Sequence, residues 1–567
     1  MAFVALWLAP VALGDFAVNV LTRSMIYGVL AVTVDLLWGY TGILTFGQAA
    51  FFGAGAYATA MTLTHLGATP GWMIVALALA VLAPLLLGVA VGWLSFFYGS
   101  TPLYASVISL VFPIVVTQLV YSGGVWTGSS SGLVGFDTLP LDPAGFFRAA
   151  AALLVVVTLG AWLYVRSDAG RLLAAVRDNE MRCAYIGIDP KRVQTLLTAA
   201  LAGVAGLAGW LFAHASGVVA PENTGFLFGT EIVIWVALGG RATLIGPVLG
   251  AIAIDYLSAT LSGDLPFLWQ LLLGGAFVVV IILLPGGLAS LAPGAWRARV
   301  KAAHAPALVA LPARARVASD MPLLEASNVA KSYGSLSVLQ DISLTVRAGE
   351  LVSLVGPNGA GKTTLMRCLS DGAETFSGRV RIAGRDTKGL TPDRIVALGV
   401  GRKFQVASVF ESLTVAECLR LARTSQERPS ALTRAETLAL PAATIEILSL
   451  TGLDQQLATP ARLLSHGQKQ ALELSMVVAM EPLLILLDEP TAGLTKAERS
   501  MTGAVLKRLT AELGLAAILV EHDLDFVREI SSRIVVLHQG RLMLDGGVDE
   551  VVNSELVSSI YAGARHD

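Results

Sequence analysis

The sequence predicts a multi-span α-helical membrane domain followed by an α/β P-loop domain. Three observations carry that prediction. The hydrophobic fraction is 55% and the charged fraction 14%, where a soluble chain carries about 25% charged residues. The deficit is one-sided: residues 1–165 contain only Arg23 and Arg148 as strong cations, whereas the chain beyond Asp320 has soluble composition. A glycine-rich loop of the form GxxxxGK[ST], Gly356-Pro357-Asn358-Gly359-Ala360-Gly361-Lys362-Thr363, follows the apolar run Leu351-Val352-Ser353-Leu354-Val355. A length of 567 residues also exceeds one domain. The net charge of −2 averages two unlike halves and does not bear on partners, and no basic patch argues for nucleic acid.

The membrane domain is assigned to residues 1–296. A spanning helix needs about 20 mainly apolar residues. The candidate segments are 2–21, 24–45, 47–66, 72–97, 102–121, 148–165, 193–216, 229–239, 243–261 and 265–285, which predicts about eight to ten spans. The stretch 229–239 is too short to span alone and adjoins Gly239-Gly240-Arg241, so it reads as a broken or re-entrant helix. The N-terminus lacks a basic region and an obvious cleavage site and reads as a first span rather than a signal peptide. Charge sets the orientation. Arg166, Arg171, Arg177, Arg182, Lys191 and Arg192 cluster in one segment, and Arg297, Arg299, Lys301, Arg314 and Arg316 in another. The positive-inside rule makes both cytoplasmic, and the loop 122–147, with Asp137 and Asp142 but no Lys or Arg, faces outward. Counting 229–239 as a crossing also places Arg241 inside.

Residues 297–322, rich in Ala, Pro and Arg, read as a cytoplasmic linker. The α/β domain is assigned to 323–567, with a buried strand at 351–355 and a helix from Leu365. Cys183, Cys368 and Cys418 are scattered without metal-ligand spacing and read as reduced or buried thiols.

The glycine-rich loop has a defined chemistry. Backbone N–H groups of 358–363 wrap phosphates, aided by the following helix N-terminus. Lys362 reaches the β- and γ-phosphates, and the Thr363 hydroxyl ligates Mg²⁺. Gly356, Asn358, Gly359, Gly361 and Thr364 complete the nucleotide-binding set. The run Leu483–Pro490 is an apolar strand ending in two acids. Asp488 is placed to hold Mg²⁺, and Glu489 to orient or deprotonate the attacking water.

Between these elements stands Leu464-Ser465-His466-Gly467-Gln468. Here the sequence resembles the ABC ATPases, whose signature is LSGGQ, with His466 in place of the first signature glycine. A small N-cap ahead of a helix is itself a phosphate-binding end. The resemblance implies that Ser465, Gly467 and Gln468 act on nucleotide held by an opposite subunit. It further implies that Tyr333 stacks on adenine and that Gln405, in Arg402-Lys403-Phe404-Gln405, senses Mg²⁺ and contacts the permease. His522, in Val520-Glu521-His522-Asp523, matches the switch histidine at the γ-phosphate. Catalysis is thereby assigned to Glu489, His522 and Gln405, and metal binding to Thr363, Gln405 and Asp488.

The first half also carries a resemblance. Asp35-Leu36-Leu37-Trp38-Gly39-Tyr40-Thr41-Gly42, then Phe46-Gly47-Gln48-Ala49-Ala50-Phe51-Phe52-Gly53 and Ile234–Arg241, resemble the permeases of branched-chain amino acid importers and of the related urea and short-amide importers. Glycines there permit close helix packing. Asp35 and Gln48 are costly in a bilayer and are candidate pore-lining residues. Residues 177–192 resemble the short coupling helix by which such permeases dock on their ATPases.

The reading that follows is a permease fused to its ATPase: one subunit of an importer, using ATP and Mg²⁺ to take up branched-chain or other hydrophobic amino acids. The alternatives are an importer of urea or short-chain amides and an ABC exporter. The expected partners are a second permease, a second ATP-binding subunit and a periplasmic solute-binding protein. The expected location is the bacterial inner membrane, with the ATPase domain cytoplasmic.

Overall fold

The computed structural model describes residues 7, 9–97, 102–264, 268–284, 286–291, 305–312, 322–557 and 559. The start of the predicted span 2–21 and the linker residues 297–304 and 313–321 lie outside the described residues. The chain divides into two compact units. One comprises residues 1–173, 191–302 and 431–433; the other 174–190, 303–430 and 434–567.

The first unit is built from apolar helices: α1 Asp15–Asp35, α2 Gln48–Leu66, α3 Pro70–Phe97, α4 Pro102–Ser122, α5 Pro143–Arg166, α6 Arg171–Asp178, α7 Glu180–Ala184, α8 Pro190–Ser216, α9 Phe226–Gly239, α10 Ile245–Asp264 and α11 Trp269–Leu283, of which α7 and the end of α6 belong to the second unit. Among the described residues six of these are long and apolar enough to cross a membrane, fewer than the eight to ten expected. The predicted spans 2–21 and 24–45 are not separate helices meeting near residue 22. The chain breaks at Leu13-Gly14, and α1 then runs unbroken through Arg23 into a π-helical turn at Leu36–Tyr40. Arg23 falls between the two predicted segments, and the buried Asp255 pairs with it. Helix α9 has only 14 residues, as its short apolar stretch predicts.

Small residues let the backbones touch. A Cβ on Gly206 of α8 would fall 2.1 Å from the Ala80 carbonyl oxygen of α3, and one on Gly209 would fall 2.1 Å from the Phe52 carbonyl oxygen of α2. Such contact is how helices gain dispersion energy where no hydrophobic effect drives them together. Buried Tyr27 stacks on Phe212 and Trp235 and packs against Phe52 and Phe228. Asp35 and Gln48 do not line an opening: both are fully buried. The Asp35 carboxylate accepts from the backbone N–H of Ala242 (2.6 Å) and Leu244 (3.0 Å), and so caps the turn between α9 and α10. Gln48 accepts from the Thr33 hydroxyl.

The second unit holds two sheets and a short pair. Strands β1 Leu133–Val134 and β2 Val218–Val219 pair antiparallel in the first unit. In the second, β3 Ala307–Leu311 pairs in parallel with β10 Thr437–Pro441, so the segment expected as plain linker carries a strand. The antiparallel sheet has β5 Leu336–Val346, β4 Leu324–Tyr333, β7 Ser377–Ile382 and β8 Arg385–Asp386 in that order. The main sheet runs β14 Arg541–Gly546, β13 Arg533–His538, β6 Leu351–Val355, β12 Ala516–Val520, β11 Leu484–Asp488 and β9 Val400–Lys403. All neighbours except β13–β14 are parallel. Every residue of β6, β11 and β12 is buried, as expected of central parallel strands covered on both faces.

Candidate active site

Four neighbouring parallel strands, in the order β6, β12, β11, β9, each deliver one predicted functional element at the carboxyl end. Ligands bind at that edge of open α/β sheets. The loop 356–361 leaves β6, Asp488 and Glu489 end β11, Gln405 follows β9 and His522 follows β12.

The loop needs its glycines. Gly359 and Gly361 have φ of 79° and 102°, a left-handed backbone disfavoured for side chains. A Cβ on Gly356 would also fall 2.0 Å from the Leu537 carbonyl oxygen. The helix α12 Lys362–Ser370 starts at once, so its N-terminal amides face the loop. Lys362 Nζ donates to the carbonyls of Gly356 (2.7 Å) and Pro357 (3.0 Å). Burial pulls the Lys362 ammonium below its ordinary value, and the Glu489 and Asp488 charges oppose that. Asn358, Gly359 and Thr363 are exposed and Thr364 half-buried. Val338 and Leu339 of β5 abut Gly361, so the β4–β5 hairpin flanks the loop. Tyr333 ends β4 with its ring half exposed and Lys331 Nζ 4.7 Å from the centroid.

Glu489 is the meeting point. Gln405 Nε2 donates to its Oε2 (2.9 Å), and His522 Nε2 lies 2.8 Å from its Oε1. All three predicted catalytic residues are thus joined by hydrogen bonds. Glu489 has φ of 45°, a strained backbone for a residue with a side chain; such strain costs about 1–3 kcal/mol and concentrates at functional sites. Asp488 is buried, and its Oδ1 has no hydrogen-bond partner among the described residues. Burial raises the Asp488 carboxyl above its usual range, with Arg402 opposing. An orphaned buried carboxylate oxygen beside a phosphate loop fits a divalent cation.

Ser465 caps the helix α16 His466–Ala479: its Oγ accepts from the Gln468 N–H, and Gln468 Oε1 accepts from the Ser465 N–H. Among the described residues no hydrogen bond links Ser465, Gly467 or Gln468 to the phosphate loop.

Sequence reasoning missed a buried group behind Gln405. Residues 174–190 belong to this unit although they lie between apolar helices in sequence. Arg182 of α7 is completely buried. It donates to the Arg402 carbonyl (2.9 Å) and pairs with Glu473 of α16 (3.3 Å). Glu473 also accepts from the Phe404 N–H (3.1 Å) and has Lys403 Nζ at 3.9 Å. Burial pushes the Glu473 carboxyl up and the Arg182 guanidinium down, and their attraction opposes both; arginine keeps its proton throughout. Nearby, Asn179 donates to Ser408, Asp178 accepts from the Ser412 N–H, and Tyr185 meets Phe404 edge-on at 5.0 Å. Read in sequence, Arg182 was one more cation of a charged loop. The structure also adds Glu521, whose buried carboxylate holds the Thr491 hydroxyl (2.6 Å) and N–H beside His522.

The fold and site define a nucleotide-binding ATPase of the ABC type joined to an apolar helical domain. The family profile "Branched-chain amino acid transport system / permease component" matches residues 16–284, and "ABC transporter" matches 339–492. The branched-chain amino acid transport ATP-binding protein BraF of Pseudomonas aeruginosa is 32% identical over 43% of this chain and 98% of its own length. LivG of Salmonella typhimurium, of the same description, is 33% identical over 43% and 99%. A solved structure of cbiO1 from Clostridium perfringens is 26% identical over 42% of this chain and 95% of its own, with a TM-score of 0.35. The chain belongs to the ABC transporter family, in its branched-chain amino acid branch, with permease and ATPase in one polypeptide.

Proposed function

We propose that this chain is one permease half and one ATPase of an importer that takes up branched-chain or other hydrophobic amino acids at the expense of ATP. The observation that carries the mechanism is the Gln405–Glu489–His522 constellation at the sheet edge that also bears the phosphate loop. The loop amides and Lys362 hold the phosphates, and Tyr333 packs on the base. Glu489 takes the proton of the attacking water while His522 and Gln405 fix its orientation. Asp488, Thr363 and Gln405 are suited to hold Mg²⁺, which supplies charge stabilisation on the phosphoryl oxygens. Lys362 must leave the Gly356 and Pro357 carbonyls to reach those oxygens.

Ser465 and Gly467 serve a nucleotide on a second ATP-binding subunit, so the working unit holds two ATPases and two permeases. A periplasmic solute-binding protein completes it, the location is the bacterial inner membrane, and the ATPase faces the cytoplasm. Residues 323–567 form the ATPase domain and 1–296 the permease. The Arg182 segment couples them, because the groove it fills is lined by Arg402 and Phe404, next to Gln405.

The test is uptake of labelled leucine and labelled urea into vesicles carrying the full complex with its binding protein. ATP-dependent leucine accumulation is expected. Urea accumulation without leucine would replace the solute, and transport of a sugar or metal instead would overturn the reading.

A further inference from the structure

Three charges lie within electrostatic range of one another on apolar helices of the permease. Arg23 lies eight residues into α1, Asp255 ten residues into α10, and Glu231 eight residues before the end of α9. At about 1.5 Å per residue Arg23 and Asp255 lie about 12–15 Å from the starts of their helices and Glu231 about 7–8 Å from the start of α9, inside helices that belong to a hydrocarbon layer about 30 Å thick. Helix α1 packs against both α9 and α10.

The three groups are not equally satisfied. Asp255 is buried and fully used: it accepts from Arg23 Nη2 (3.0 Å), Arg23 Nε (3.3 Å) and the Ser24 hydroxyl (2.6 Å). Arg23 is 43% exposed and spends one edge of its fork on Asp255. Its Nη1 donates to no described residue, and a guanidinium has five N–H donors. Glu231 is exposed, forms no hydrogen bond or ion pair with a described residue, and lies within electrostatic range of both Arg23 and Asp255. One turn before each stands another exposed residue on the same face, Asn19 and Leu227.

An ionised Glu at this depth is expensive against lipid, so this face borders water or another protein. The Arg23–Asp255 pair is neutral, which leaves one negative charge, Glu231, within electrostatic range of an unused guanidinium edge. That pattern complements a zwitterion. We propose that Arg23 and Glu231 form a solute subsite on the translocation path. The α-carboxylate rests on the Nη1 edge of Arg23, and the α-ammonium on Glu231. Asp255 and Ser24 are positioning residues that hold the Arg23 fork, and Leu227 offers an apolar contact for the side chain. The proposal rests on the amino acid import reading above, and it disfavours urea, which has no separated charges to match.

The experiment uses the purified membrane complex with its binding protein in proteoliposomes. Glu231→Gln should lower leucine uptake at saturating binding protein by about tenfold or more, the scale of one lost charge-assisted contact. Glu231→Asp should restore much of it, which a packing defect would not allow. Arg23→Gln strands Asp255 and risks the fold, so a second readout is labelling. Glu231→Cys should react with a water-borne cationic methanethiosulfonate, and leucine under turnover should slow the reaction while urea does not. The three native cysteines are buried, which keeps the background low. Wild-type uptake by Glu231→Gln, leucine-independent labelling, or dissociation of the Glu231→Gln permease from its partner would each overturn the subsite, the last by making Glu231 an interface charge. A wild-type complex that imports no amino acid would instead sink the reading on which the subsite rests.

Discussion

Glu489 combines three properties at one residue: a strained φ of 45°, two hydrogen-bond partners, and a position after the fully buried strand β11. In the proposed mechanism this carboxylate is the base for the attacking water. Glu489→Gln keeps the shape and removes the base. We expect ATP to bind while hydrolysis slows by at least about 10²-fold, the contribution of general-base assistance. Wild-type turnover in that protein would remove Glu489 from the catalytic role. Lys362→Ala acts differently, since a buried ammonium whose hydrogen bonds among the described residues go to its own loop's carbonyls is placed for phosphate. Its expected defect is in nucleotide affinity, read by equilibrium binding. A third expectation concerns pH. Burial raises the Asp488 carboxyl, so its proton competes with Mg²⁺ over a window that opens above the ordinary carboxylate value of about 3.8. Mg²⁺-dependent ATP affinity should be flat above the raised pKa and fall as pH drops through it. Asp488→Asn should be weak and flat in the same titration; a wild-type profile from Asp488→Asn would exclude this carboxylate as the ligand.

At the scale of elements, what the sequence showed and what it hid divide along one line. The strand–loop–helix at 351–370 was legible because its chemistry is local: an apolar run, glycines where φ is positive, and a helix start. The segment proposed to couple the two domains was legible as a charged stretch between apolar helices. Its energetic centre was not, because Arg182 finds Glu473 and the Arg402 carbonyl more than 200 positions away. Asp35 misled for the same reason: a carboxylate in an apolar helix looks like a pore group until Ala242 and Leu244 supply the N–H donors. The strand at 307–311 pairs with Thr437–Pro441 and has no signal of its own beyond its five apolar residues. The buried pair carries the element-level prediction. Glu473 touches Arg182 and the Phe404 N–H together, one residue before Gln405, and Gln470 of the same helix donates to the Gln405 carbonyl. Arg182→Ala leaves Glu473 buried with the Phe404 N–H and the more distant Lys403 Nζ, and breaking such a pair costs about 3–5 kcal/mol. Thermal unfolding should show that loss, and transport should fall further than ATPase activity. Equal losses in both would argue that the pair only stabilises the fold.

At the scale of the whole molecule, the two groups of residues proposed for the ATPase site share no hydrogen bond among the described residues. Ser465, Gly467 and Gln468 stand at the start of α16 and hydrogen-bond one another, while Glu489, Gln405 and His522 gather at the sheet edge. If the signature end of α16 serves a nucleotide on a second subunit, damage to it should spare binding in its own loop and abolish turnover. Gly467→Asp separates the two. An acid in the first turn of a helix stabilises the helix through its dipole, and a Cβ at Gly467 meets two side-chain ends that can shift, the Glu498 carboxylate at 3.0 Å and Leu494 at 3.5 Å. The fold should therefore survive. The same carboxylate would oppose a γ-phosphate presented to that helix end, where transition-state stabilisation of about 10²–10³-fold is at stake. We expect the Gly467→Asp chain to bind ATP with wild-type affinity and the assembled complex to lose hydrolysis by about that factor. Loss of ATP binding by the mutant chain itself would mean that the signature acts on its own subunit's nucleotide, and the two-ATPase arrangement would have to be abandoned.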